Sequence, residues 1–141
     1  MPKSARFFGY AGLIPFAFFA GLAHIFPGLL MTVVITQTAY AGMILSFLSG
    51  VHWTYGLLEN NKAQIAFSMF PTIASLFFFM LGLAGYQIVA LTGMAITFVI
   101  LYEADKYFLS GDKFASTYWP FRRNLTYGVA VLLFVTLIAT F

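Results

Sequence analysis

Four ionisable side chains sit inside or at the edge of apolar stretches: His24, His52, Asp105 and Arg122. An ionisable group in hydrocarbon surroundings is costly, so each is a candidate for function. His52 precedes Glu59 by seven residues. On a helix the two stand within about 20° of one face and roughly 10 Å apart along the axis. Asp105 follows Gly93, Thr97 and Leu101 at steps of four, which marks an inward face. Glu103 falls on a headgroup-facing side and can pair with Lys106, three residues on. Arg122 and Arg123 stand in the first turn of a helix, where the macrodipole disfavours cations. An anion must compensate them, and Asp105 and a lipid phosphate are the two choices. Adding Trp53, the neighbour of His52, gives a candidate polar cluster of His52, Trp53, Glu59, Asp105 and Arg122.

Much chemistry is excluded by what the sequence lacks. There is no Cys, hence no thiolate nucleophile, disulfide or iron–sulfur ligand. His24 and His52 differ in depth by about 15 Å, so one haem iron cannot take both as axial ligands. No Lys lies within an apolar stretch to form a retinal Schiff base, and no carboxylate–histidine spacing suits a metal. The Ser and Thr residues lack a general base in any recognisable motif. The expectation is a chain with no catalytic residue, no metal and no cofactor. Its basic residues lie at helix ends rather than on one face, which argues against a nucleic-acid partner.

The elements that position these residues follow from composition. Of 141 residues 62% are hydrophobic and 8% charged, and the net charge is +3. The mean hydropathy is +0.93. A soluble domain carries about 25% charged residues, and one this small cannot hide so much apolar surface. The expected fold is all-α: a polytopic integral membrane protein forming a single five-helix transmembrane domain over 1–141. A span needs roughly 20 apolar residues, and the stretches 7–26, 37–58, 64–84, 86–107 and 121–141 qualify. Pro27-Gly28, Glu59-Asn60-Asn61-Lys62, Gly82 to Gly85, and Ser110-Gly111-Asp112-Lys113 through Pro120 separate them. Residues 29–36 are either a tilted extension of the second helix or an interfacial segment. Lys3 and Arg6 before an apolar run resemble the start of a signal peptide. The run is longer than a signal core, so a retained first helix is expected.

With five spans, every charged side chain falls at the face that carries the N-terminus. The positive-inside rule makes that face cytoplasmic, or matrix in a mitochondrion, giving an N-in/C-out chain. Trp53, Tyr55, Tyr102, Tyr107, Tyr118 and Trp119 collect near it as an interfacial belt. Gly42, Ser46 and Gly50, spaced by four, form a small-residue stripe for an internal packing ridge or a homodimer contact. Pro15 and Pro71 lie inside spans and should kink them. Phe77-Phe78-Phe79 winds around its helix and cannot be one binding face.

Several segments resemble a family of small membrane proteins of unknown function that includes the mitochondrial transmembrane protein 69. They are Gly12-Leu13-Ile14-Pro15-Phe16, the long run from Tyr40 through His52-Trp53, and Pro71, Asp105 and Arg122 with Leu125-Thr126. Thr117-Tyr118, followed by Trp119, departs from the family's loop pattern. The resemblance implies a five-helix protein of the bacterial cytoplasmic (inner) membrane or the mitochondrial inner membrane, and no activity. The leading functional expectation is a non-enzymatic accessory or assembly component of a larger membrane complex, respiratory complexes included. Its partners would be membrane lipids and other membrane-protein subunits or a second copy. A small oligomeric transporter or channel with a polar half-cavity at the cytoplasmic side is the first alternative. A quinone- or lipid-binding subunit is the second.

Overall fold

The structure, a computed structural model, describes residues 2–109 and 117–141. Among them are seven α-helices, no strand, and five segments long and apolar enough to cross a membrane. The first span, Lys3–Ile25, is two helices, α1 (Lys3–Ala11) and α2 (Ile14–Ile25). The second joins a 3-10 turn, Pro27–Leu29, to α3 (Leu30–Leu58). The third holds α4 (Lys62–Ser68) and α5 (Phe70–Leu83), the fourth is α6 (Gln87–Phe108), and the fifth is α7 (Tyr118–Ile138).

Residues 29–36 are resolved as helix. They continue into α3 without a break, and its 29 residues reach about 44 Å. That exceeds a hydrocarbon core of about 30 Å, so α3 must tilt or protrude. Both interior prolines do more than kink. Pro15 and Pro71 each take the second position of a new helix, where a missing N–H leaves no bond unmade. The fifth span begins three residues earlier than expected, and Arg122 therefore lies in its second turn. The expected Ser110–Lys113 turn lies outside the described residues.

Two turns close by the same geometry. Asn60 (φ 53°) follows α3 in the left-handed region, and the Asn61 N–H reaches back to Gly56 O at 2.9 Å. Gly85 (φ 96°) follows α5, and the Tyr86 N–H reaches Leu81 O at 2.9 Å. Each satisfies helix-end carbonyls that lipid could not. Asn61 then caps α4, its Oδ1 accepting from the Gln64 N–H at 3.2 Å.

The spans alternate in direction. Tyr10 of α1 stacks edge-on against Phe121 of α7 at one end, and His24 of α2 bonds Val135 O of α7 at the other. The charges among the described residues therefore gather at a single end. The core is apolar, formed by Phe16, Val34, Leu45, Leu91, Met94, Phe98 and Leu133 with their neighbours. Helix α3 packs on α2, α4, α5 and α6, and α6 on α5 and α7.

Of the small-residue stripe, two members face inward. A Cβ on Gly42 would meet Ser75 Oγ at 3.3 Å, and Thr72 Oγ1 donates to Ser46 Oγ at 3.3 Å. Gly50 is exposed with open space beside it. The stripe is thus largely an α3–α5 seam, and only its last residue lies outside. The tightest approach is elsewhere, at Gly93 of α6, over which the Phe78 ring of α5 lies.

Candidate functional site

The polar centre is assembled from four helices at the charged end. His52 comes from α3, Gln64 from α4, Asp105 from α6 and Arg122 from α7, and none is more than 3% exposed. The inward face counted along Gly93, Thr97, Leu101 and Asp105 is buried at every position. Asp105 uses both oxygens: Oδ1 lies 2.6 Å from His52 Nε2, and Oδ2 accepts from Arg122 Nε at 2.9 Å. Arg122 Nη1 donates to Thr126 Oγ1, one turn along α7. On the far side of the imidazole, Gln64 Nε2 stands 3.1 Å from His52 Nδ1.

With the Gln64 amide nitrogen towards the ring, Nδ1 is the acceptor and Nε2 the nitrogen that donates to Asp105 Oδ1. The imidazole thus stands between an amide and the Asp105–Arg122 ion pair. Aromatic rings enclose it. Phe67 and Phe108 stand edge-on to His52 at 5.5 and 5.7 Å, and Tyr102 lies under the Arg122 guanidinium at 5.9 Å. Among the described residues, two buried polar atoms of the cluster have no hydrogen-bond partner, Gln64 Oε1 and Arg122 Nη2.

The anticipated pairing of Asp105 with Arg122 is present, so the carboxylate rather than a lipid phosphate neutralises Arg122 at Nε. Glu103 pairs with Lys106 at 3.0 Å, as its spacing implied. Two expected members are exposed where the others are buried. Trp53 is 46% exposed, because the position after His52 is rotated about 100° away from it. Glu59 caps the end of α3 on the exposed side, since the helix stops before the seventh step is complete. Gln64 and Thr126 went unread as site residues. Gln64 is a single amide at the mouth of an apolar stretch, and its neighbour Asn61 explains it locally as a capped helix start. Thr126 carried a usable signal, standing four residues after Arg122 on the same face.

Beside the cluster runs a cleft of about 510 Å³ between the first span, α3, α6 and α7. Phe8, Leu13, Phe16, Leu48, Val51 and Phe98 are among its walls. Every lining residue is apolar or glycine except Tyr118 and Arg122, both near the charged end of α7. Among the described residues no group of His, Asp and Glu could hold a metal ion.

Compared with known proteins, residues 1–138 match the model of a family described as a protein of unknown function, DUF3429. The chain belongs to the DUF3429 family. Two relatives of this DUF3429 protein are both named Transmembrane protein 69. The one from Xenopus tropicalis is 41% identical over 63 residues, 45% of this chain and 25% of the relative. The one from Mus musculus is 35% identical over 79 residues, 52% of this chain and 32% of the relative. The match thus spans about a quarter to a third of the relatives' own length. No solved structure matches the DUF3429 chain. The family names no catalytic activity.

Proposed function

We propose that this membrane protein binds an amphiphile, a lipid or quinone with a long apolar body and a hydrogen-bonding head, in the cleft beside Arg122. The observation that carries this reading is the cleft itself. Its volume lies within the roughly 300–1,000 Å³ usual for small-molecule sites, and such sites combine apolar walls with a few polar groups. Here the polar groups are Arg122 and Tyr118. Arg122 is held at Nε and Nη1, with the Tyr118 phenol beside the guanidinium, and no described residue accepts from Nη2. A guanidinium fixed on one side is a rigid donor on the other.

The accessory-component and transporter readings find less support. The stripe that offered a docking surface is mostly taken up between α3 and α5, and His52 and Asp105 are buried rather than lining an open half-cavity. Val51 of α3 lines the cleft and is half-buried. Val51→Trp should fill it, reducing an extractable co-purifying lipid or quinone at least about tenfold, while the thermal midpoint stays near wild type. Equal ligand content in both proteins, measured by mass spectrometry of organic extracts, would refute the reading.

We also propose a cytoplasmic or bacterial inner-membrane orientation with both Arg122 and the N-terminus inside, or the matrix side in a mitochondrion. All seven Lys and Arg residues support it, since the sequence puts them at that end. A reporter fused after Phe141 should be active only when it requires the outer compartment. Activity of a cytoplasm-dependent reporter at that position would reverse the topology.

A further inference from the structure

Two side chains of the buried cluster can be cationic, His52 and Arg122, and a single carboxylate, Asp105, already serves both with one oxygen each. With His52 neutral the account balances. With His52 protonated it is one positive charge in excess, in a setting where an unbalanced charge is expensive. The site therefore has room for one added anion provided that one proton arrives with it.

We propose that the cleft takes a single-chain amphiphile with an anionic head, and that its binding is coupled to the uptake of one proton at His52 Nδ1. This rests on the amphiphile-binding reading and specifies its ligand. The head is received at Arg122 Nη2, the guanidinium nitrogen whose hydrogens no described residue accepts. The proton enters at Nδ1, which stands 3.1 Å from Gln64 Nε2 and serves as its acceptor in the proposed free state. Once Nδ1 carries hydrogen, the Gln64 amide turns over so that Oε1 accepts from it.

That turn is nearly balanced, because Gln64 Oε1 has no partner in the present orientation. One end of the amide is held and the other unheld in both states, so the proton on His52 decides between them. Charge is conserved throughout. The free cluster holds Asp105 negative, Arg122 positive and His52 neutral. The bound cluster adds the head's negative charge and the imidazolium's positive one. No covalent bond other than N–H changes.

Among the described residues the following groups stand around His52, and Tyr55 of α3 is near enough to Tyr118 to interact with it electrostatically. Asp105 reaches it from α6, with the phenols of Tyr102 and Tyr118 further out around Arg122. Gln64 and Phe67 face it from α4, and Phe108 from α6. The number of tails follows from the cleft, whose volume of about 510 Å³ suits one hydrocarbon chain rather than two.

The test uses the full chain in phosphatidylcholine nanodiscs, weakly buffered near pH 7.5, with a pH indicator and subtraction of empty discs. Hexadecanesulfonate supplies an anionic head with no proton of its own, and hexadecanol a neutral one. About one proton should be taken up per bound sulfonate and none per bound hexadecanol. Gln64→Glu places a carboxylate beside Nδ1 and brings the proton in before any ligand arrives, so uptake should fall towards zero and sulfonate, left without its balancing proton, should bind more weakly than in the wild type. His52→Gln should abolish uptake and weaken sulfonate binding at least about tenfold, with hexadecanol binding little changed. Suppression of uptake by phosphatidylglycerol in the discs would overturn the single-chain assignment. Sulfonate bound by the wild type without proton uptake would overturn the proposal and leave amphiphile binding standing. Failure of both probes to bind the wild type would overturn the two together.

Discussion

Asp105→Asn is expected to lower the unfolding free energy by about 3–5 kcal/mol, the usual cost of breaking a buried ion pair from one side. Asp105 is 3% exposed and its carboxylate is the acceptor for both His52 Nε2 and Arg122 Nε. An amide in its place keeps one acceptor oxygen, loses the charge, and turns an N–H2 group towards a neighbour that also donates. Arg122, 2% exposed, is then a buried cation without a counter-charge. Arg122→Gln should show a comparable loss for the mirrored reason. The double variant should cost less than the sum of the singles, because neither residual group is left charged. Denaturation by increasing sodium dodecyl sulfate in mild-detergent micelles measures all three. Strict additivity would mean that the pair contributes nothing as a pair.

The second large effect is expected at Gly93. A Cβ built there would lie 2.1 Å from Phe78 Cε1 and 2.3 Å from Cδ1, well inside contact distance. The ring of α5 thus rests on the bare backbone of α6, the close approach that small residues permit between membrane helices. Gly93→Val should cost about 3 kcal/mol by overpacking, at the upper end of such substitutions. Combining it with Phe78→Ala should recover much of that loss, since the clash is with this ring. If the double variant is no more stable than Gly93→Val alone, measured by the same denaturation, the contact is not what makes the position intolerant. The wild-type interface would then be held by other parts of α5 and α6, which meet along much of their length.

The overall plan was legible in the chain because lipid leaves so few solutions. Five long apolar stretches with almost no charge have to be helices, since only helices or closed barrels satisfy their own backbone in hydrocarbon. Turn residues fixed where they end to within a few positions. Asp105 was legible as an inward carboxylate from its step-of-four neighbours, and Arg122 as its partner from the short connection between their helices. Glu103 and Lys106 were legible as a local pair, since a helix brings such residues together without help from the rest of the fold.

Other features depended on which helices touch. His52 faces Asp105 rather than Glu59 because α3 packs against α6, and a contact 53 residues away leaves no periodic trace. Gln64 reaches His52 only because α4 folds back beside the end of α3, where Gly56 lets Ile65 approach to 2.6 Å of its missing Cβ. Trp53 shares the sequence neighbourhood of His52 but not its direction. The cleft is the clearest case, since its walls come from four spans and its single guanidinium from the last of them. Composition and periodicity determine how each helix meets the lipid, because that is a property of one segment and its solvent. Which polar groups meet one another, and where space is left between helices, is decided by packing. Pairwise fit among distant segments is a property that no one segment carries.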